Sequence, residues 1–205
     1  MIFRGELKQN SKDQLKGRWG LAILVTLCFG LTTGMLKFTT DVDDINTRFA
    51  ITSGIIGIIG FIIAGPINVG FSKFLLKFTR NDDSATIGDL FSQFKILPKA
   101  LCLYLLVTIS IIIGTFLFII PGIIVGLMLS QCYFILAEDN SKSITECMKE
   151  SAMIMNGYKW DYFVLQLSFI GWYLLGIFTC GIGLLWVAPY YSVTTANFYL
   201  TIKNR

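Results

Sequence analysis

Charge along this chain comes in bursts, and between the bursts lie apolar runs of membrane-crossing length. Residues 101–137 contain no Asp, Glu, Lys or Arg, whereas a helix needs only about 20 apolar residues to span a bilayer. The runs at 19–38 and 51–76 each predict one span. The uncharged run is nearly two spans long, and Pro121-Gly122 offers a turn in its middle because proline cannot continue a helical ladder. The pattern therefore predicts helices over 99–118 and 122–137, the second only ~24 Å long at 1.5 Å per residue and able to stop short of the far interface. Residues 160–202 divide at Thr179-Cys180-Gly181-Ile182-Gly183 into 160–178 and 183–202. Six spans result. Gly65-Pro66 predicts a kink in the second and Pro189 one in the last. Gly54, Gly57, Gly60 and Gly70, like the pairs Gly30/Gly34 and Gly122/Gly126, predict close helix packing.

The polar segments have a period of their own. Within 4–16, Leu7 and Leu15 sit amid Lys8, Lys12, Asp13 and Lys16. Within 84–97, Ile87, Leu90, Phe91, Phe94 and Leu97 recur at helical spacing. Within 143–156, Ile144, Cys147, Met148, Ala152 and Met155 do likewise. These are amphipathic helices, expected to lie along the membrane interface. Thr86-x-x-Asp89 and Ser143-x-x-Glu146 predict capping boxes at two of the starts. Gly17 and Gly157 stand where C-cap glycines belong, and Trp19 and Trp160 follow within a few residues. One unit repeats three times, beginning near residues 4, 84 and 143: interfacial helix, span out, turn, span back.

Composition agrees with the pattern. The 205 residues are 54% apolar and 15% charged with a mean hydropathy of +0.67, against about 25% charged in soluble domains. A soluble globular enzyme and a disordered chain are excluded. With both termini inside, only Lys37 and Arg48 of the 17 basic residues fall outside, so the positive-inside rule sets the orientation. The basic inner face also attracts anionic inner-leaflet lipid. No motif supports a nucleic-acid partner.

Chemistry is sparse. There is no His, and Cys28, Cys102, Cys132, Cys147 and Cys180 are scattered singly, which supports neither a metal site, a cofactor, nor a disulfide framework. No nucleophile motif appears, and Asp82-Asp83 and Glu138-Asp139 are read as solvated boundary groups, so no enzymatic activity is expected. Trp19 and Trp160 are read as an inner aromatic belt, with Trp172 and Trp186 toward the outer halves. No span carries an ionisable group at its centre. What remains is a polar layer in the inner halves of the spans: Asn68, Gln131, Gln166 and Asn197, with Tyr190 and Thr194 on the stripe of the last helix. Interhelical hydrogen bonding and a cytoplasm-facing cavity both fit it.

Leu15-Lys16-Gly17-Arg18-Trp19-Gly20, Ile120-Pro121-Gly122-Ile123, Asn156-Gly157-Tyr158-Lys159-Trp160, Ser168-Phe169-Ile170-Gly171-Trp172 and Gly181-Ile182-Gly183 leading to Pro189-Tyr190 resemble the hallmarks of a bacterial membrane-protein family, domain of unknown function 975. The resemblance covers nearly the whole chain and implies a polytopic plasma-membrane protein, with no activity attached.

The expectation is thus an all-α, six-helix integral membrane bundle, a single domain with both termini cytoplasmic and three interfacial helices. Its expected role is that of a non-enzymatic, transport-related or envelope-maintenance component, acting alone, with a protein partner or as a homo-oligomer. The alternative is an immunity factor against a membrane-active peptide. Single-cysteine labelling tests the topology: residues 41–47 should react from outside, and positions 82 and 141 only after permeabilisation. Outside labelling at position 82 would overturn it.

Overall fold

A computed structural model describes the backbone of residues 4–38, 47–179 and 181–204, and the side chains of 4–33, 57–179 and 181–204. The loop expected between the first two spans, Lys37, Gly34, Gly54 and Cys180 lie outside the described side chains. Every described element is helical: α1 (Arg4–Leu15), α2 (Trp19–Phe38), α3 (Thr47–Thr79), α4 (Gly88–Phe91) running into a 3-10 turn (Ser92–Ile96), α5 (Leu97–Leu117), α6 (Ile119–Leu129), α7 (Cys132–Glu138), α8 (Ile144–Ile154), α9 (Lys159–Phe178) and α10 (Leu184–Lys203). Among the described residues, four stretches are long and apolar enough to cross a membrane: Gly57–Thr79, Gly88–Leu117, Ile119–Glu138 and Lys159–Phe178. There are up to five if α1 and Trp19–Thr33, bent by 104°, count as one. Their large apolar side chains face outward: Ile112, Phe116, Phe118, Ile120, Leu175 and Phe178 are all exposed.

Several boundaries depart from the sequence expectation. The turn after α5 falls at Phe118, whose backbone is extended (φ −164°, ψ 151°), and not at Pro121-Gly122. Pro121 is the third residue of α6, where a missing N–H removes only a donor that has no partner within the helix. The next span is not one short helix over 122–137. It starts at Ile119 and divides at Ser130-Gln131 into α6 and α7. The segment 84–97 is not one amphipathic helix either: Pro98 sits at the start of α5, and a helix cannot run through it with its ladder intact, so only α4 and the 3-10 turn precede it. Half of the expected box forms there, with the Asp89 carboxylate accepting the Thr86 N–H at 2.9 Å and Lys77 Nζ at 2.8 Å. Both α3 and α10 run on through their prolines, Pro66 and Pro189, as continuous helices. The α3 proline is flanked by tight contacts, Gly65 on the backbone of Ala100 and Gly70 on Leu90.

Other local signals carry through. Ser143 Oγ accepts the Glu146 N–H while the Glu146 carboxylate accepts the Ser143 N–H at 2.7 Å, a complete capping box for α8. Gly17 (φ 78°) and Gly157 (φ 82°) close α1 and α8 in the left-handed conformation, and Gly181 (φ 86°) turns α9 into α10.

The packing partners form a cycle. The second helix of each unit, α3, then α6 with α7, then α10, lies toward the centre. The first helix of each unit, α2, α5 or α9, touches its own successor and also the inner helix of the unit before: α2 touches α3 and α10, α5 touches α6 and α3, α9 touches α10 and α6. Each interfacial segment covers the inner helix of the preceding unit in the same cyclic sense, α4 on α3, α8 on α7 and α1 on α10. The inner helices meet at one end around Glu138, which accepts Arg80, the residue just after α3, at 2.6 Å and both Tyr199 (2.7 Å) and Lys203 (2.5 Å). Phe134 stacks on Tyr199 beside it, with ring centroids 5.2 Å apart.

Glycine permits the closest of these approaches. A Cβ at Gly70 would lie 2.1 Å from the Leu90 carbonyl oxygen, and one at Gly65 2.7 Å from that of Ala100, whereas one at Gly57 would meet nothing within 4 Å. Gly70→Ala should therefore destabilise the protein in detergent by about 1–3 kcal/mol, read as a lowered thermal midpoint. Gly57→Ala should be neutral or stabilising by up to about 1 kcal/mol. Equal midpoints for the two variants would contradict the packing.

Candidate functional site

Asn197, on the most buried helix, is where polar chemistry concentrates. Its Nδ2 donates to Ser11 Oγ at 3.0 Å and to Gln14 Oε1 at 2.7 Å, and its Oδ1 accepts Gln14 Nε2 at 3.3 Å. Gln14 Nε2 also reaches the Thr79 carbonyl at 2.9 Å, so α1, α3 and α10 are tied at one point. The helix that supplies these partners is highly polar, yet Leu7, Ser11 and Leu15 form a buried stripe at steps of four. Ser11 donates its own hydroxyl hydrogen to Leu7 O at 2.7 Å, leaving its oxygen free to accept from Asn197. Sequence reasoning missed Ser11 and Gln14. The signal was present in Leu7-x-x-x-Ser11-x-x-x-Leu15, a small polar residue in the middle of the only apolar stripe.

The other members of the expected layer bond elsewhere. Asn68 Nδ2 returns to Ala64 O on its own helix at 2.8 Å, and Thr194 Oγ1 donates to Tyr190 O at 2.7 Å. Gln166 keeps company with the buried Tyr162 hydroxyl. Tyr190 packs edge-on against Phe169. Gln131 sits at the break between α6 and α7. Its N–H is accepted by Ser151 Oγ at 3.3 Å, and that hydroxyl donates to Met128 O at 2.7 Å, so α8 mends the interrupted ladder as buried backbone groups require. Gln131 Nε2 donates to Ser130 Oγ at 2.8 Å, and its Oε1 is buried with no partner among the described residues. The four carboxamides thus sit in four separate neighbourhoods.

A groove lies on another face of these helices. About 490 Å³ in volume, it runs along the α9–α10 hairpin, walled by Trp172, Leu175, Trp186, Val187 and Tyr190 and closed on one side by Lys12, Lys16 and Trp19. The hairpin is tight at its turn, where a Cβ on Gly183 would lie 2.9 Å from the Gly176 Cα. Lys16 is paired with Asp13 at 2.6 Å. Lys12 Nζ stands 5.8 Å from the centre of the Tyr190 ring, and Lys8 Nζ 4.7 Å from that of Phe169 and 3.5 Å from Ser168 O. Burial and, after it, the Lys12 ammonium pull the Lys8 pKa below its ordinary value, as two neighbouring cations must. Neither Lys8 nor Lys12 has a carboxylate within ion-pair distance among the described residues. A second cleft, of about 250 Å³, separates α2 from α10 between Thr26, Leu27 and Gly30 on one side and Leu185 and Pro189 on the other. Among the described residues, no group of three His, Cys, Asp or Glu side chains is placed to hold a metal ion.

One family model, described as a protein of unknown function (DUF975), matches the chain over residues 1–125 and 116–205. No protein of curated function and no solved structure matches it.

Asn197→Leu removes two donated bonds but also the desolvation of a carboxamide, so the loss of stability should stay near 1–2 kcal/mol. Gln14→Leu and the double variant complete the cycle. Unfolding in detergent should show a coupling of about 0.5–2 kcal/mol. Strict additivity would mean that the two side chains do not hold α1 to α10.

Proposed function

The chain belongs to the DUF975 family, which carries no assigned activity, and from that premise we propose a non-enzymatic, multi-pass protein of the bacterial plasma membrane. In this reading it is a transport-related or envelope-maintenance component that works by holding a membrane amphiphile in the groove beside α9 and α10. The observation that carries the reading is the groove's lining, a continuous apolar and aromatic wall that ends on ammonium groups. Its volume lies within the ~300–1,000 Å³ range of small-molecule sites. Trp172, Leu175 and Trp186 are exposed toward the side of the bundle, so a lipid could enter laterally from the bilayer without crossing water.

The same reading takes the architecture as six spans with both termini in the cytoplasm. The Lys and Arg distribution supports the orientation. For the sixth span, α10, support comes from its surroundings: it is flanked by α1, α2, α3 and α9, which lets a helix rich in Tyr and Thr cross without the hydropathy that lipid contact demands. The non-enzymatic reading rests on the sequence, which offers no His and no nucleophile motif.

Val187→Phe, which places a ring in the groove, should strip retained lipid from the purified protein in native mass spectra, while the unmodified chain keeps lipid after detergent exchange. Equal retention by both proteins would sink the amphiphile reading.

A further inference from the structure

We propose that the groove's occupant is an anionic phospholipid whose phosphate is held at Lys12, with Lys8 flanking it and an acyl chain lying along Trp172, Leu175 and Trp186. The inference rests on the amphiphile reading above and adds the headgroup. Its starting point is unpaired charge. The Lys8 ammonium stands 3.5 Å from the Ser168 carbonyl oxygen, and Lys12 Nζ stands 5.8 Å from the centre of the Tyr190 ring. The first helix therefore sets two cations against the aromatic side of the α9–α10 hairpin.

What faces those cations does not neutralise them. Lys8 has a carbonyl at 3.5 Å and the face of Phe169, and Lys12 has the face of Tyr190. Ring faces offset part of the lost hydration but carry no net charge. The one carboxylate paired at the groove, Asp13, is bound to Lys16 at 2.6 Å, which leaves Lys12 as the cation on the lining with no acidic partner among the described residues. The complement is a single anionic group attached to something apolar, because beyond the lysines the wall is Trp, Leu, Val and Tyr. A soluble anion would satisfy the charge and leave the wall bare. A zwitterionic lipid would fill the wall but bring its own cation to Lys12. An anionic phospholipid satisfies both.

Trp160 is the one tryptophan outside the groove, so a Trp160→Phe background makes fluorescence report on Trp19, Trp172 and Trp186 alone. The protein is placed in nanodiscs of phosphatidylcholine, with phosphatidylglycerol or phosphatidylcholine brominated on the acyl chain added in rising proportion. We expect saturable quenching with phosphatidylglycerol preferred about fivefold for each engaged lysine. Lys12→Gln should reduce that preference about fivefold, and Lys8→Gln should reduce it less. Glycerol phosphate in the buffer should not compete; competition would overturn the proposal in favour of a free-anion site. Equal quenching by the two lipids, abolished in both by Val187→Phe, would overturn the headgroup assignment and leave the amphiphile reading standing. Quenching that never saturates and ignores Val187→Phe would overturn both. The comparison of the two lipids needs no lysine variant, so a misfolded mutant cannot shield the proposal.

Discussion

A carboxamide in the middle of an apolar bundle must find its hydrogen-bond partners inside the protein, and Asn197 finds them on α1. That requirement explains why a helix as polar as Arg4–Leu15 is drawn against the spans and does not float on the surface. Once Ser11 and Gln14 are committed to Asn197, and Gln14 also to Thr79, the first helix of the chain is fastened to the last and to the end of α3. The cycle of units closes there, between two elements more than 180 residues apart.

The other two joints of the cycle need no such fastening, since α3 runs into α4 and α7 into α8 through short connections. Their interfacial segments still meet polar needs of the helices they cover. Asp89 on α4 takes up Lys77 of α3, and Ser151 on α8 serves both an N–H and a carbonyl left over where α6 breaks from α7. The three amphipathic segments therefore have one physical task, to bring hydrogen-bonding groups to the inner helices from the side where water would otherwise be required. At the seam between the last unit and the first, that task also brings Lys8 and Lys12 alongside the α9–α10 hairpin, and the groove opens at that seam.

The repeat was visible in the amino-acid pattern before any packing was known. The alternation of uncharged runs and amphipathic segments locates α1, α2, α8, α9 and α10 to within a residue or two, because helix periodicity, a Ser-x-x-Glu box and a C-cap glycine are local properties that a neighbour rarely overrides. The failures are also local. Pro121 is compatible with a first helical turn as much as with a break, and only the extended backbone of Phe118 decides between them. Pro98 shortened the second amphipathic segment, where hydrophobic spacing alone carried on past it.

By itself the sequence determined that this is a helical, membrane-suited chain with a thrice-repeated unit, since hydropathy and periodicity depend on residue identity and spacing alone. It could not decide which polar groups meet. Counting residues along the apolar runs put Asn68, Gln131, Gln166 and Asn197 at one expected depth, but a hydrogen bond needs two side chains on facing sides within about 3 Å. Facing is set by helix rotation and by which units are neighbours. The tertiary structure sent Asn197 to a serine and a glutamine in the most polar segment of the chain, and assembled a groove from residues of α1, α2, α9 and α10 whose common location no spacing in the sequence records.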